Sequence, residues 1–385
     1  MKRLLFILTL LFTSWQCASA YDFMYDQIAY NFNSDNKSLT VTYTLHQSPN
    51  NYSGLTRAYI PSALKINGSI YYVTNIDNDA FSRCSTLTNV TIPYTVTSIG
   101  ASSFWGCSKL SSVTIPNSVI SIGNQAFQYC YGLTSLTIPN SVTSIGESSF
   151  YQCKGLTSIT IGTSVASIGK NAFEECYGLE IVEYNAVDCA GPTSDKDIWF
   201  KNSKFKTLVI GDEVKSIPSY LAYYQSKLTD VTIGNSVTSI GNSAFFYCSG
   251  LEFITIPYSV TNIGDGVFYY CSGLKIVFSE NSTPPTISTY SFSSSICREA
   301  SLVVPTGSKE NYSDATGWQN FKNIKEVGSY DINEDGTVDV CDINILINII
   351  TGDIPSAIYK GLADVNNDGK IDVSDINTII NVLLD

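Results

Sequence analysis

Two stretches near the C-terminus carry the residues best suited to chemistry. The first reads Asp331-Ile-Asn333-Glu-Asp335-Gly336-Thr337-Val-Asp339-Val-Cys-Asp342. The second, 33 residues on, reads Asp364-Val-Asn366-Asn-Asp368-Gly369-Lys370-Ile-Asp372-Val-Ser-Asp375. Side-chain oxygens at loop positions 1, 3, 5, 9 and 12, with glycine at the bend in position 6, are what a hard cation such as Ca²⁺ needs. Position 7 offers only its backbone carbonyl, so Thr337 and Lys370 serve equally. After each loop comes an apolar stripe at helical spacing: Ile343, Leu346, Ile347 and Ile350, then Ile376, Ile379, Ile380 and Leu383. Eleven acids against two bases between positions 328 and 385 would repel one another without a counter-ion. Two bound Ca²⁺ ions are therefore expected, and so small a segment should depend on them to fold.

Other chemistries find little support. His46 is the single histidine, which argues against imidazole acid/base catalysis and multi-histidine metal sites. With 22 Lys and Arg against 34 Asp and Glu, the net charge of −12 makes nucleic acid an unlikely partner. Carboxylates are sparse between positions 87 and 304 and share no repeated spacing, so no glycosidase pair can be named. The expectation is a protein that binds rather than catalyses.

The elements that position these residues follow from three sequence patterns. Lys2 and Arg3 precede the apolar run Leu4–Phe12, and Ala18-Ser19-Ala20 follows, which marks residues 1–20 as an export signal. That run is too short for a membrane span, and no later stretch is apolar enough for one, so a secreted chain with no membrane insertion is expected. With no sorting tail after Asp385, attachment to a cell is expected to come through a partner.

The second pattern is a repeat. Cys84, Cys107, Cys130, Cys153 and Cys176 lie 23 residues apart, as do Cys248 and Cys271, and Leu87, Leu110, Leu133, Leu156 and Leu179 keep the same beat. A unit of this size cannot bury its apolar side alone, so the copies must stack. The Leu-x-x-Val-x-Ile segment predicts a short strand, and stacked copies predict a parallel sheet. Proline at 93, 116, 139 and 257 ends the strand, and glycine at 100, 123, 146, 169, 241 and 264 is expected to permit the next turn. About nine units are expected between residues 87 and 327, after a cap and degenerate first repeat over 21–86. Residues 328–385 form the acidic domain.

The third pattern concerns side chains on the repeats. Seven cysteines share one repeat position, which predicts a ladder of buried thiols rather than disulfides, because parallel Cβ vectors at strand spacing fit a disulfide poorly. Beside that position stand Trp105, Tyr129, Tyr131, Tyr151, Tyr177, Phe246, Tyr247, Tyr269 and Tyr270. Trp105, Tyr129, Tyr151, Tyr247 and Tyr270 are the candidate contact residues of this strip, which suits flat contact with a protein or sugar surface. The same rings could instead pack over neighbouring turns and shield the sheet edges.

With the motifs in view, residues 21–327 resemble the BspA-like leucine-rich repeat family of bacterial surface proteins, through segments such as Leu133-Thr-Ser-Leu-Thr-Ile138-Pro139-Asn-Ser-Val-Thr-Ser-Ile-Gly146. The resemblance implies an α/β-type leucine-rich repeat solenoid of short parallel strands, used in adhesion to a host or neighbouring cell. The doubled loop-then-helix arrangement resembles a type I dockerin, a small all-α domain with two calcium loops that plugs into a cohesin-bearing protein. In that family, loop positions 10 and 11 help choose the cohesin; the matching residues are Val340 and Cys341, then Val373 and Ser374. They depart from the family's common Ser/Thr pairs, which leaves the cohesin type open. An alternative reading is a non-catalytic, glycan-binding component of a polysaccharide-degrading system assembled through the dockerin.

Overall fold

The computed structural model describes residues 21–43, 52, 54–326, 332, 338, 340–352, 363–366 and 368–384. The export signal and His46 lie outside them. The chain divides into two compact units, Met1–Phe205 and Lys206–Asp385, and about eleven turns of solenoid are counted in all.

The first unit opens with an antiparallel meander, Phe23–Tyr25, Ile28–Phe32 and Ser38–Thr42. The last of these pairs in parallel with Ser69–Ile76, which also forms a hairpin with Ala63–Ile66. Asn67 and Gly68 turn that hairpin with φ of 48° and 85°, the left-handed pair that a two-residue hairpin demands. From Ser69–Ile76 onward the chain coils. Each coil carries one strand from the Leu-x-x-Val-x-Ile segment, as at Ser135–Ile138 and Ser158–Ile161. A two-residue strand follows, as at Ser121–Ile122 and Ser144–Ile145. Both stack in parallel at the 23-residue interval, so Leu136 faces Ile159 and Ile122 faces Ile145.

The third side of each coil is built of turns, not helix. Its backbone still pairs from coil to coil: the Phe104 N–H donates to the Ala126 carbonyl at 2.7 Å, and the Gly106 N–H to the Gln128 carbonyl at 2.8 Å. Two residues per coil sit in the left-handed region. One series is Asp79, Ser102, Gln125, Ser148 and Asn171; the other, just before the repeat cysteine, is Arg83, Gly106, Tyr129, Gln152 and Glu175. Left-handed backbone costs a non-glycine residue roughly 1–2 kcal/mol, which the coil-to-coil hydrogen bonds offset.

Four ladders of like residues run through the coil. Phe81, Phe104, Phe127, Phe150, Phe173 and Phe200 stack at 5.0–5.3 Å with ring planes within 14°. The repeat cysteines are buried thiols. Cys107, Cys130, Cys153, Cys176, Cys248 and Cys271 each lie against a main-chain carbonyl of the coil before, as with Cys130 Sγ and the Phe104 oxygen at 3.2 Å. Small hydroxyls form a third ladder, in which Ser118 Oγ donates to the Val96 carbonyl at 2.6 Å and Ser141 Oγ to the Val119 carbonyl at 2.7 Å.

Glycine forms the fourth, and here the structure corrects the sequence reading. Gly123 is not in a glycine-only conformation. A Cβ placed on it would stand 2.5 Å from the Ala101 nitrogen, and one on Gly100 would stand 2.6 Å from the Asn78 nitrogen. The position needs glycine because the coils approach too closely there for any side chain.

The irregular coil after Leu179 keeps the plan with substitute residues. Trp199 and Phe200 take the Ala-Phe places, and Ser203 takes the cysteine place, donating to the Phe173 carbonyl at 2.7 Å.

In the second unit the same two ladders run through Thr207–Ile210 and Asp230–Thr232, through Ser216–Ile217, Ser239–Ile240 and Asn262–Ile263, and through Phe253–Ile256 and Ile276–Ser279. The last turn is closed by helices α1 (Ser294–Glu299) and α2 (Lys309–Asp314) and the strands Ser301–Val304 and Asn323–Glu326. Trp318 is fully buried there, packed on Phe292, Tyr312 and Phe321, with its Nε1 donating to the Pro285 carbonyl at 2.7 Å. Among the described residues the acidic segment carries two helices, α3 (Val340–Thr351) and α4 (Val373–Leu384), packed around Ile332, Leu346, Ile349, Ala363, Val365 and Ile379.

Candidate functional site

The second acidic loop is described at every expected ligand position. Asp364 turns its carboxylate inward, where Oδ1 accepts the Asp368 N–H at 3.0 Å and Oδ2 the Gly369 N–H at 2.9 Å. Asn366 Oδ1 accepts the Asp368 N–H at 2.9 Å, and Asp368 Oδ1 accepts the Lys370 N–H at 3.0 Å. Gly369 has φ of 85°, the bend that makes this wrapping possible. Asp372 caps the start of α4, and the Ser374 backbone N–H, with the Ser374 hydroxyl, holds its carboxyl below the usual carboxylate range. Asp375 is fully buried and ties the loop's two ends together, accepting the Asn366 N–H at 3.3 Å and the Asp372 N–H at 2.8 Å.

Of the first loop, Asp331, Asn333, Asp335, Thr337 and Asp339 lie outside the described residues. Its position-12 residue, Asp342, is fully buried and accepts the Ile332 N–H at 2.6 Å, so both position-12 carboxylates brace the start of their loops. Among the described residues no three carboxylate, thiol or imidazole groups stand gathered around one point. The donor set along 364–375 is nevertheless all oxygen and mostly anionic, and at the first, third and fifth positions it faces the loop's own N–H groups. These residues fit a hard cation.

The helices divide their apolar residues differently from the single stripe expected. Leu346, Ile349 and Ile379 are buried, with Ile343 and Ile376 packed beside them. Ile347, Ile350, Ile380 and Leu383 face outward instead. Two short helices packed on each other and on the loops cover only one narrow face each, and the outer half of each stripe is left over. Val340 and Val373, at loop position 10, are 62% and 59% exposed. Cys341 is exposed and Ser374 half-buried beside them.

On the repeats, the aromatic strip resolves into two adjacent rows, one and two positions before the repeat cysteine, with Tyr131 and Tyr177 one position after it. In the first unit the rows are mixed. Trp105 is half-buried, donates from Nε1 to Gln128 Oε1 at 3.0 Å, carries Arg83 over its face at 4.9 Å and meets Tyr129 edge-on. Tyr129 and Tyr151 are also half-buried and meet edge-on, and Lys154 stands over Tyr131 and Tyr177. Here the rings do shield the coil.

In the second unit both rows are aromatic for three coils: Tyr223, Phe246 and Tyr269 in one, Tyr224, Tyr247 and Tyr270 in the other. Tyr224, Tyr247 and Tyr270 are 51%, 41% and 53% exposed. Sequence reasoning placed Tyr247 and Tyr270 here but missed Tyr223 and Tyr224. Their coil lacks the cysteine that marks the others; Leu221, Ala222 and Gln225 stand where Ala, Phe and Cys are usual. The 23-residue count back from Cys248 was the available signal.

A solenoid of 23-residue coils with two parallel strands apiece, followed by a doubled loop-and-helix domain, defines a leucine-rich repeat protein with a docking module. The chain belongs to the BspA-type leucine-rich repeat family: residues 50–187 and 195–315 match the BspA type leucine rich repeat region in six copies. Residues 329–384 match the dockerin type I domain, a module that generally binds calcium and pairs with cohesin. Neither family is catalytic.

Among solved structures, the chain is similar to a leucine-rich repeat protein of T. pallidum, at 23% identity over 66% of this chain and 90% of that one, with a TM-score of 0.42. It is also similar to a leucine-rich repeat protein from Bacteroides ovatus, at 21% identity over 80% and 100%, with a TM-score of 0.31. A leucine rich cell surface protein from Faecalibacterium prausnitzii matches at 22% identity over 82% and 97%, with a TM-score of 0.34. No curated protein matches the chain. No helix among the described residues is long and apolar enough to cross a membrane.

Proposed function

We propose that this is a secreted, non-enzymatic binding protein in which the solenoid recognises a protein or glycan surface and the C-terminal domain docks the chain, with calcium, onto a cohesin-bearing partner. Residues 1–20 are removed on export, 21–86 cap the solenoid, 87–327 form it, and 328–385 form the docking domain. Two Ca²⁺ ions are held, one by Asp331, Asn333, Asp335, the Thr337 carbonyl, Asp339 and Asp342, the other by Asp364, Asn366, Asp368, the Lys370 carbonyl, Asp372 and Asp375. The cations neutralise the crowded carboxylates and lock each loop onto its helix.

The observation that carries this reading is the wrapping of loop 364–375 around its own carboxylates, with exposed Val340, Cys341 and Val373 and half-buried Ser374 beside the loops. An apolar, outward-facing patch on a metal-stiffened pair of helices suits a flat protein partner better than solvent. The test is a pull-down with the full chain as bait against a panel of cohesin modules. Capture that requires Ca²⁺ and is abolished by chelation is expected. Capture by no cohesin in the panel, together with no Ca²⁺ binding by calorimetry, would overturn the docking half of the proposal.

A further inference from the structure

The two aromatic rows of the second unit do not resemble packing that a solenoid needs. Tyr224, Tyr247 and Tyr270 have φ of 60°, 60° and 61°. Left-handed backbone favours glycine and asparagine and penalises a bulky ring, and the same repeat position holds Gly106 in the first unit without loss of the coil. The turn itself belongs to the repeat, since Arg83, Tyr129, Gln152 and Glu175 adopt it too; what sets the second unit apart is that three consecutive coils fill the position with an exposed tyrosine.

The rings touch chiefly one another. Tyr224 stacks on Tyr247 at 4.8 Å and Tyr223 on Phe246 at 4.9 Å, both with planes 17° apart, and Phe246 lies parallel to Tyr269 at 6.2 Å. Tyr270 breaks the stack, turned 55° from Tyr247 and 85° from Phe246. Among the described residues no Lys or Arg lies over Phe246, Tyr224, Tyr247, Tyr269 or Tyr270, whereas cations cover Trp105, Tyr131 and Tyr177. The backbone beneath is already satisfied: the Tyr224 N–H donates to the Phe246 carbonyl at 2.8 Å, and the Tyr247 N–H to the Tyr269 carbonyl at 2.9 Å. An extended peptide would find no main-chain partners here of the kind strand addition requires.

We infer that these two rows bind an extended, neutral polysaccharide. The patch is uncharged at the rings, presents apolar ring surface with phenol hydroxyls, and repeats the same pair of groups once per coil. A glycan of neutral sugars offers the complement in the same rhythm: apolar C–H faces, hydroxyls at the rim, and one similar unit after another along a line. This rests on the reading of the solenoid as the recognition module and names its ligand class.

The test uses the full chain with Ca²⁺ present, in affinity electrophoresis through gels of soluble neutral glucan, xylan or mannan, with an anionic polysaccharide as contrast. Tyr224→Asn, Tyr247→Asn and Tyr270→Asn are introduced together, because asparagine suits the left-handed backbone. The expected result is retardation of the wild-type chain by at least one neutral polysaccharide. The triple variant should bind about tenfold more weakly or not at all, with its Tm unchanged or raised and its cohesin capture intact. Equal retardation of wild type and variant would overturn the assignment of the rows. A wild-type chain that binds only anionic glycan, or only protein from an extracellular-matrix panel, would overturn the ligand class while leaving recognition by the solenoid standing. Binding to neither panel would overturn both.

Discussion

Single residues in the coil act by facing the coil before them. Cysteine, serine and glycine each recur at 23-residue intervals, and in each case a main-chain atom of the preceding coil sets the requirement. Burial away from water pushes the thiols of Cys84, Cys107, Cys130, Cys153, Cys176 and Cys248 up, to about 12 for Cys84 and Cys176. In the unfolded chain a thiol titrates near 8.5. A group raised on folding gives stability that is complete below the unfolded value and is lost as pH rises toward the folded one. Thermal stability should therefore fall steadily above about pH 8.5, by up to about 1.4 kcal/mol per pH unit for each thiol so raised. Unfolding curves between neutral and strongly alkaline pH check this, and a Cys176→Ala chain should lose less across that range than the parent. Gly123→Ala tests close approach. The added methyl meets backbone, which cannot swing aside, so a loss of about 1–3 kcal/mol is expected in denaturant titrations. A glycine kept merely for a turn would not behave so here, because its φ is open to alanine.

The coil is the element of the solenoid, and its stability comes from its neighbours. The phenylalanine stack gives each coil one large side chain buried between two copies of itself. Phe127→Ala should cost about 3–5 kcal/mol, as a buried aromatic truncation does, and hydrogen exchange should localise the loosening to the coils on either side, since contacts run only between neighbours. In the acidic domain the element is a loop joined to the helix it opens. Asp364 and Asp372 stand at the two ends of one such loop. Asp364→Ala with Asp372→Ala should remove one of two Ca²⁺ ions in calorimetry and weaken cohesin capture. Retention of both ions would show that the loop is not a ligand set.

At the scale of the whole molecule, the two kinds of architecture should respond to different conditions. The solenoid is held by apolar ladders and main-chain pairing, neither of which involves a metal. The acidic domain buries a small core and collects eleven acids. Chelation of Ca²⁺ should therefore unfold the C-terminal domain and leave the solenoid's transition in place, seen as loss of the helical part of the circular dichroism spectrum alone and as proteolysis confined to residues beyond about 328. A single cooperative transition lost on chelation would contradict this division.

Much of this protein was legible in its primary structure because repetition is a one-dimensional signal: a cysteine every 23 residues, and a loop pattern copied 33 residues on, report stacking and a doubled loop-and-helix domain without any knowledge of contacts. What linear spacing could not decide was anything that depends on what lies above or beside a residue. It assigned the repeat glycine to a turn, when the preceding coil's backbone is the cause. It drew one apolar stripe along α3 and α4, when packing covers only half of each. It drew one aromatic strip, when Trp105 and Tyr129 lie half-covered by neighbours and Tyr224, Tyr247 and Tyr270 stand open. Periodicity specifies which residues are equivalent; only the tertiary structure decides which equivalent residues meet solvent, because exposure is a property of the neighbours a side chain acquires.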